Sequence, residues 1–359
     1  MLSRRELLVA SSGLIATAIV GESLSGRLPA AEGGGTGSLG LVIHSFRVRT
    51  AADRGRPAGD RFADPLRFLE HARKLGARGV QVGLGIRDEA AARAIRERAE
   101  AASMYLEGIA ALPRDEASVD RFTAEIRTAR QAGASVVRTV MLSGRRYETF
   151  DSAAAFRRFA ASSEHSLRLA APVAARENIQ LAVENHKDWR SDELLAILDR
   201  AGNDHVGVCL DTGNSVALLE DPMDVIDALA PRSFTTHFKD MGVEEYREGF
   251  LLSEVPLGTG ILDLPRAVRT LRKARPEIRF NIEMITRAPL RIPCLRQRYW
   301  ATFPDLPGRH LARALSTVRD HPPATPLPRI GGLTHDQQVH AEDDNVARCL
   351  AFARERLGL

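Results

Sequence analysis

Short apolar runs alternate with longer amphipathic segments along the chain from Leu39 onward. The short runs are five or six residues long and mostly apolar or β-branched, as buried β-strands are, whereas the longer segments repeat apolar residues at helical spacing. Strands are predicted over Leu41–Phe46, Gly79–Gly83, Tyr105–Ile109, Ser135–Thr139, Gln180–Glu184, Val206–Leu210, Ser233–His237 and Arg279–Met284. Helices are predicted over Pro65–Leu75, Glu89–Ala102, Val119–Ala132, Ala153–Glu177, Ser191–Ala201, Pro222–Leu229, Leu264–Ala274 and His340–Leu357.

Residues that start and stop helices stand at the expected ends of these segments. Gly76, Gly133 and Gly202 occur where predicted helices should end, and Asp221 and Asp263 occur where helices should begin. Eight strands with a helix after nearly every one predict an α/β fold, a (β/α)8 TIM barrel with a long insertion after the eighth strand. An open doubly wound sheet is the competing architecture, but no GxGxxG follows the first strand and the sequence contains no P-loop.

The sequence between the eighth predicted strand and the last helix differs in composition from the rest. Residues 287–334 are rich in proline and include the aromatic cluster Tyr299, Trp300 and Phe303. Because this segment leaves the barrel beside the end of the eighth strand, we expect an ordered cover over the barrel mouth, with disorder as the alternative. The predicted domains are an export signal and linker (1–37), the barrel body (38–285), the Pro-rich insertion (286–334) and a C-terminal helix that completes the barrel (335–359).

The first twenty residues have the pattern of an export signal. Arg4 and Arg5 precede an apolar run from Leu7 to Val20, and a Gly-, Ala- and Ser-rich stretch follows. A helix over this 14-residue run would reach only about 21 Å, short of a hydrocarbon core of about 30 Å, so no permanent membrane span is predicted. The adjacent arginines resemble a twin-arginine signal, which predicts a periplasmic or secreted protein. An ordinary buried N-terminal helix is the alternative.

Composition and charge exclude two broad classes of protein. Of the 359 residues, 44% are hydrophobic and 27% are charged, which is enough apolar surface for a large core and excludes disorder as the main state. The formal net charge is +4 and the basic residues are spread along the chain, so no nucleic-acid partner is predicted. Cys209, Cys294 and Cys349 are widely separated and form no disulfide framework.

Four residues that carry metal-binding chemistry end four successive predicted strands. Glu184, Asp211, His237 and Glu283 follow one another at intervals of 27, 26 and 46 residues, and the first two intervals match one βα repeat. The carboxyl ends of barrel strands meet at one rim, so the spacing predicts that these side chains converge. Three converging carboxylates repel one another unless a cation neutralises them, and these ligands suit one divalent ion of Mn, Mg, Co or Zn. Salt bridges to nearby lysines are the alternative.

Five short motifs, taken with their order and spacing, resemble the xylose isomerase-like TIM barrels. The motifs are Glu184–His186, Leu210–Asn214, His237–Asp240, Pro256–Gly260 and the strand-end Glu283, and the resemblance covers about residues 39–284. This family includes sugar epimerases, hydroxypyruvate isomerases, inosose dehydratases and metal-dependent apurinic endonucleases. The resemblance therefore implies a barrel enzyme whose substrate is a sugar or a related small molecule.

The resemblance also implies roles for the four strand-end residues. In that family the residues matching Glu184, Asp211, His237 and Glu283 bind one divalent ion. In the epimerases the two glutamates also act as the acid and base that flank the substrate, which makes Glu184 and Glu283 the predicted catalytic pair. Asn214 departs from the endonucleases and from some ketose epimerases, which carry a histidine there. This difference argues against a nuclease and against a strict ketose 3-epimerase.

Five further residues are predicted to contact the substrate. His44 and Gln81 end the first two strands, His186 lies two residues beyond Glu184, Lys239 follows the seventh strand, and Arg287 begins the insertion. We expect their polar groups to bind sugar hydroxyls or an oxyanion at the barrel mouth. Packing of His186 and a solvated ion pair of Lys239 with the next residue along the chain are the structural alternatives.

The predicted function is a divalent-metal-dependent sugar or keto-sugar isomerase or epimerase that removes a proton next to a metal-bound carbonyl. A lyase, dehydratase or decarboxylase acting on an oxidised sugar would use the same chemistry and is the first alternative. A noncatalytic sugar-binding barrel is the alternative from a different class. The partner is a small-molecule sugar, and the sequence also allows a homo-oligomer.

Overall fold

The computed structural model of the chain describes residues 39–359, so the predicted export segment lies outside the described residues. Eight parallel strands close into a barrel in the order β1-β10-β7-β6-β5-β4-β3-β2. The strands of the chain are β1 Leu39–Val42, β2 Gly79–Gly83, β3 Tyr105–Ile109, β4 Val136–Thr139, β5 Gln180–Glu184, β6 Val206–Asp211, β7 Ser233–Phe238, β8 Asp240–Tyr246, β9 Gly249–Val255, β10 Phe280–Ile282 and β11 Leu290–Ile292. The predicted (β/α)8 barrel is confirmed.

Helices follow the barrel strands and pack against them. Their bounds are α1 Arg47–Ala52, α2 Pro65–Lys74, α3 Glu89–Ala101, α4 Val119–Gln131, α5 Arg146–Thr149, α6 Ala153–Arg176, α7 Ser191–Ala201, α8 Pro222–Leu229, α9 Leu264–Ala274, α10 Arg309–Asp320 and α11 His335–Leu357. The predicted caps form: Asp221 accepts from backbone N–H groups at the start of α8, and Gly202 ends α7 in the left-handed region at φ +57°. Among the described residues, no helix is both long enough and apolar enough to cross a membrane.

The first strand is shorter than its apolar sequence predicts. It ends at Val42, and residues Ile43–Phe46 form a 3-10 helix. Ser45 explains the turn, since its hydroxyl donates to the carbonyl of Ile282 at 3.0 Å and accepts from the amide of Met284 at 3.1 Å. The chain is thereby drawn across the rim towards the end of β10. The 3-10 segment is buried and largely apolar, so its sequence alone cannot be distinguished from that of a buried strand.

A second, three-stranded antiparallel sheet lies outside the barrel, where the sequence analysis predicted no strands. Strands β8 and β9 form a hairpin, and β11 from the predicted insertion pairs with β9, with Leu290 opposite Leu252. The insertion continues through a 3-10 helix over Gln297–Thr302 into α10. The prolines of this segment lie either before α10 or after it, so none interrupts the helix.

The insertion is tied to loops at the carboxyl ends of the barrel strands. The Tyr299 hydroxyl donates to the carbonyl of Ala217 at 2.8 Å, in the loop after β6. Arg146, the first residue of the short helix α5 that follows β4, donates to the hydroxyl of Thr302 at 3.0 Å and to its carbonyl at 2.7 Å. These bonds hold the insertion on the side of the barrel where the strand ends lie.

The loop after β9 is organised by one buried carboxylate, that of Asp240. Its Oδ2 accepts from the amides of Gly258 at 3.0 Å and Gly260 at 2.9 Å, and its Oδ1 accepts from the amides of Met241 at 2.9 Å and Leu262 at 3.1 Å. A Cβ at Gly260 would lie 2.3 Å from Asp240 Oδ1, so only glycine fits there. The Pro256–Gly260 motif is therefore a structural loop held by Asp240.

Replacing Asp240 with asparagine should lower the free energy of unfolding by about 2–3 kcal/mol, because an amide NH₂ group would face backbone donors and leave two of them unpaired. Chemical denaturation measures this change. Asp88→Asn is the matched control, since Asp88 caps α3 by accepting from the Ala91 amide at 2.8 Å and asparagine caps a helix equally well. Equal stability of the two variants would contradict the role given to Asp240.

Candidate metal centre

The barrel brings Glu184, Asp211, His237 and Glu283 together at the carboxyl ends of β5, β6, β7 and β10. One potential ligand atom from each side chain lies within 4.8 Å of the other three, and all four residues are buried. The register explains this arrangement, because Asp211 pairs with His237 across β6 and β7, and His237 pairs with Asn281 across β7 and β10. The convergence agrees with the expectation from the spacing of the strands.

The imidazole of His237 is fixed at one nitrogen and unpaired at the other. Nε2 lies 2.7 Å from Oε1 of Gln81. Nδ1 lies 3.2 Å from Glu283 Oε1, 3.4 Å from Glu184 Oε2 and 3.9 Å from Asp211 Oδ2, and none of these contacts has hydrogen-bond geometry. The free nitrogen of the ring therefore points at three carboxylates.

Glu184 is held at both of its carboxylate oxygens. Its Oε2 accepts from the guanidinium of Arg138, with Nε at 2.7 Å, and its Oε1 accepts from the side-chain amide of Asn214 at 2.9 Å. Burial opposes ionisation of Glu184, but the charges of Arg138 and His237 outweigh this effect and hold its pKa well below the usual range. The ionised form of Glu184 is therefore favoured in this site.

Asp211 and Glu283 share the ammonium group of Lys239. Asp211 Oδ1 accepts from the amides of Gly213 and Asn214 at 2.9 and 2.8 Å, while Oδ2 has no hydrogen bond although Lys239 Nζ lies 2.7 Å away. Burial raises the pKa of Asp211, and Lys239 offsets this effect only in part. Glu283 Oε2 contacts the same ammonium group and Oε1 lies 2.9 Å from Nδ1 of His44.

The donor set fits a divalent cation. His237 Nδ1 and Asp211 Oδ2 are buried atoms without a hydrogen-bond partner, and both face the point where the four side chains meet. One imidazole nitrogen with three carboxylate oxygens is a set that Mn²⁺, Co²⁺ and Zn²⁺ accept and that Mg²⁺ accepts in part. Glu184, Asp211, His237 and Glu283 would hold the ion.

Charged side chains around the centre balance before an ion is counted. With His237 neutral, as an imidazole that binds a metal ion must be, four carboxylates face four lysine and arginine side chains: Glu184, Asp211, Glu254 and Glu283 against Arg138, Lys187, Lys239 and Arg287. A divalent ion would therefore give the centre a net positive charge. Such a site favours an anionic ligand over a neutral one.

The five residues predicted to contact the substrate occupy different positions. His44 is 39% exposed at its side chain and contacts Glu283, whereas Gln81 is fully buried and its amide is bonded to His237 and to another strand. Lys239 is buried against Asp211 and Glu283, and Arg287 forms a bidentate pair with Glu254. Both ends of the Gln81 amide are engaged inside the barrel, and its contact with a substrate stays a prediction.

His186 is the remaining predicted contact. Its Nδ1 is buried without a hydrogen-bond partner, and burial together with the charge of Lys187 lowers its pKa to about 3. The ring is therefore neutral near pH 7. Lys239 does not pair with Asp240, since that carboxylate accepts from backbone amides instead.

Three residues of this region were not among those predicted from the sequence: Arg138, Glu107 and Glu254. Arg138 and Glu107 are charged residues inside otherwise apolar strands, β4 and β3, and both are buried. A charge within a buried strand must find a partner in the barrel interior, so this pattern was a usable signal. Glu254 had no such signal because the sheet that carries it was not predicted.

Comparison with known proteins agrees with the fold and the motifs. The family described as "Xylose isomerase-like TIM barrel" matches residues 69–300. The 3-oxo-isoapionate decarboxylase of Pectobacterium atrosepticum is 31% identical over 252 residues, which cover 68% of this chain and 85% of that protein.

Solved structures share the fold at low sequence identity. A xylose isomerase-like TIM barrel protein from Mycobacterium smegmatis in complex with magnesium has a TM-score of 0.54 at 19% identity and covers 78% of this chain and 98% of its own. A D-psicose 3-epimerase in the presence of D-fructose has a TM-score of 0.57 at 16% identity and covers 90% of this chain and 100% of its own. With the four strand-end residues in place, the chain belongs to the xylose isomerase-like TIM barrel family.

Proposed function

We propose that this protein is a divalent-metal-dependent decarboxylase that acts on a 3-oxo sugar acid. The observation that carries the proposal is the state of Glu184, whose two carboxylate oxygens accept from Arg138 and Asn214. An epimerase needs a proton acceptor on one face of the substrate and a donor on the other, and a carboxylate held in this way is a weak base. Glu283 is held at both oxygens as well, by Lys239 and His44. Burial opposes its ionisation, but the charges of His237 and Lys239 outweigh this effect and hold its pKa well below the usual range. Loss of carbon dioxide needs no base and only one proton donor, so it demands less of these two carboxylates than epimerisation does.

The charge of the centre and the curated relative support the same reaction. A 3-oxo acid carries a carboxylate, and the loaded centre would attract an anion through Lys187, Lys239 and Arg287. The name of the 31%-identical relative, 3-oxo-isoapionate decarboxylase, describes such a substrate. An isomerase or epimerase is the function predicted from the sequence, and a decarboxylase belongs to the first alternative.

The residues of the site have two tasks in this reaction: binding the anionic substrate and supplying a proton. A bound divalent ion would supply Lewis-acid polarisation of the 3-oxo group. As the bond to the carboxylate breaks, its electron pair moves towards the carbonyl, and the carbon that loses carbon dioxide must then gain a proton. Glu283 lies at the centre and contacts His44, which is partly exposed to solvent. This pair can carry that proton from solvent to the reacting carbon.

An isomerase or epimerase is the second candidate, because both Glu184 Oε2 and Glu283 Oε1 lie within 3.4 Å of the same imidazole nitrogen. Purified protein loaded in turn with Mn²⁺, Mg²⁺, Co²⁺ or Zn²⁺ should be tested on 3-oxo sugar acids and on neutral keto-sugars. The decarboxylase releases carbon dioxide and gives a lighter product, whereas an isomerase conserves mass. Binding without any product would indicate a noncatalytic barrel.

Lys187 is the group that we expect to bind the substrate carboxylate. It is buried, and its ammonium contacts the side-chain oxygen of Asn214 but no carboxylate among the described residues. Burial and the charges of Lys239 and Arg287 lower the pKa of Lys187 to about 8. The cation is therefore present below about pH 8 and is lost as the pH rises through that value.

The value of kcat/KM for a sugar acid should accordingly fall on the alkaline side of about pH 8. Lys187→Met should raise KM about 10- to 100-fold and abolish this alkaline fall, because a hydrogen bond between charged groups is lost. Steady-state kinetics across pH measures both effects. Lys273→Met, an exposed position on α9, is the control. An unchanged pH profile in Lys187→Met would assign the carboxylate to another residue.

The insertion over residues 286–334 is proposed to narrow the mouth and to contribute to substrate choice. Its hydrogen bond to Ala217 lies beside the end of β6, which carries Asp211. Its hydrogen bond with Arg146 lies beyond the end of β4, the neighbour of β5. Arg287, where this segment begins, reaches the site through Glu254.

We also propose that the protein is exported by the twin-arginine route, on the sequence pattern alone. Replacing Arg4 and Arg5 with lysine should retain the protein inside the cell, because that route reads the arginine pair as an address. Fractionation of cells that express each form measures the change. Undiminished export of the double variant would instead favour the general secretory route.

A further inference from the structure

A buried polar network lies one layer below the four predicted ligands, inside the barrel. Thr235 precedes His237 by two residues on β7, and Asn281 on β10 precedes Glu283, which directly follows that strand, by two residues, so their side chains share the inward face. The fully buried carboxylate of Glu107 on β3 is where these groups meet.

Four side chains donate to the Glu107 carboxylate: Thr235, Asn281, Gln81 and Arg279. The Thr235 hydroxyl lies 2.8 Å from Oε2, the Asn281 amide nitrogen 3.1 Å and the Gln81 amide nitrogen 3.0 Å from the same oxygen. Arg279 lies 3.4 Å from Oε1 and supplies the positive charge. An ionised carboxylate accepts only, so these contacts leave Gln81 no choice of orientation.

The orientation of Gln81 in turn decides which nitrogen of His237 carries a proton. With its NH₂ group on Glu107, Gln81 presents Oε1 to His237 Nε2 at 2.7 Å. An amide oxygen accepts only, so Nε2 must carry a hydrogen. The neutral ring that a metal ion would bind then has its lone pair on Nδ1, towards Glu184, Asp211 and Glu283.

From this chain of bonds we infer that Glu107 and Gln81 are positioning residues that set His237 to bind a divalent ion through Nδ1. The inference rests on the proposed metal-dependent function. Partners beyond the first ligands fix the tautomer and orientation of a ligating histidine, and their loss typically weakens metal affinity about 10- to 100-fold. Neither residue touches the predicted ligand point, so their effect passes through His237.

Glu107→Gln is the discriminating substitution, since the new side chain keeps the shape but can donate as well as accept. The amide of Gln81 can then turn its NH₂ group towards His237, which would place the ring proton on Nδ1. We expect the Kd for Zn²⁺ or Mn²⁺, measured by competition with a chelator, to rise about 10- to 100-fold. Gln81→Met should show a similar rise because it removes the acceptor altogether.

Glu342→Gln is the matched control, because Glu342 is an equally buried carboxylate that accepts from the Val48 amide at 2.6 Å and pairs with Arg49 in another part of the fold. Its Zn²⁺ affinity should equal that of the parent protein. Nitrogen-15 spectra of the Zn²⁺-loaded parent protein should show the proton of His237 on Nε2, a readout that a loss of stability alone would not move.

Each outcome decides the inference. A parent protein that binds Zn²⁺ with the His237 proton on Nδ1, or Glu107→Gln and Gln81→Met variants that bind as tightly as Glu342→Gln, would overturn it and leave the proposed function standing. A parent protein that binds no divalent ion would overturn both. If Glu107→Gln does not fold, Gln81→Met and the spectrum of the parent protein still decide.

Discussion

Replacing Glu283 with glutamine should lower kcat/KM by at least about 10³-fold while the barrel stays folded. The substitution keeps the shape of the side chain but removes its charge, one predicted ligand oxygen and the group that would hold the transferred proton. Lys239 retains Asp211 at 2.7 Å, so no cation is left unpaired. These three losses act on the same step, which is why the expected effect exceeds that of any substrate-binding variant.

Three measurements interpret this variant: turnover per bound metal ion, metal content and the melting temperature. Metal retained with turnover lost would assign Glu283 to proton transfer, whereas metal lost would assign it chiefly to ion binding. Glu342→Gln, in the C-terminal helix, controls for the removal of a buried carboxylate. A Glu283→Gln variant that keeps a substantial part of the parent activity would contradict the catalytic role.

Replacing Arg138 with methionine should lower the free energy of unfolding by about 3–5 kcal/mol, because it leaves the buried carboxylate of Glu184 without its partner. Both side chains of this pair are less than a tenth exposed. Without the guanidinium, desolvation dominates and the pKa of Glu184 should rise. Chemical denaturation in the absence of divalent ions measures the loss.

The double variant Arg138→Met with Glu184→Gln should recover most of this stability, because the unpaired charge is then gone. Arg96→Met is the control, since its exposed pair with Glu100 on α3 should contribute only about 0.3–0.5 kcal/mol. If Arg138→Met costs no more than this control, or if the double variant is no more stable than the single one, the pairing does not hold Glu184 as described.

The same Arg138 variant bears on the reaction. Without the guanidinium of Arg138, Glu184 becomes a stronger base. The rate at which the variant exchanges substrate hydrogens or epimerises the substrate should therefore rise relative to its rate of decarboxylation. Proton exchange into deuterated solvent and carbon dioxide release, measured on one sample, give this ratio. An unchanged ratio would show that the state of Glu184 does not select the reaction.

Local sequence determined most of the barrel. The bounds of β2, β3 and β5 equal the predicted ones, because each of these strands follows a helix whose end is marked by a turn. The run Ile43–Phe46 was predicted as strand and forms a 3-10 helix, since apolar composition reports burial and not backbone conformation. The hairpin of β8 and β9 was missed because its hydrophobic face depends on a β11 strand contributed by the distant insertion.

By itself the sequence determined the order of the elements and which residue types end the strands. Both follow from the spacing of apolar residues along the chain and from the rule that the carboxyl ends of parallel barrel strands lie at one rim. Glu184, Asp211, His237 and Glu283 could be found in this way. Tertiary structure alone decided the partners of these residues. Gln81 reaches His237 across 156 positions of the chain, and only closure of the barrel brings β2 and β7 to face one another. Side chains that meet across a barrel interior are selected by register and closure, which no local pattern encodes.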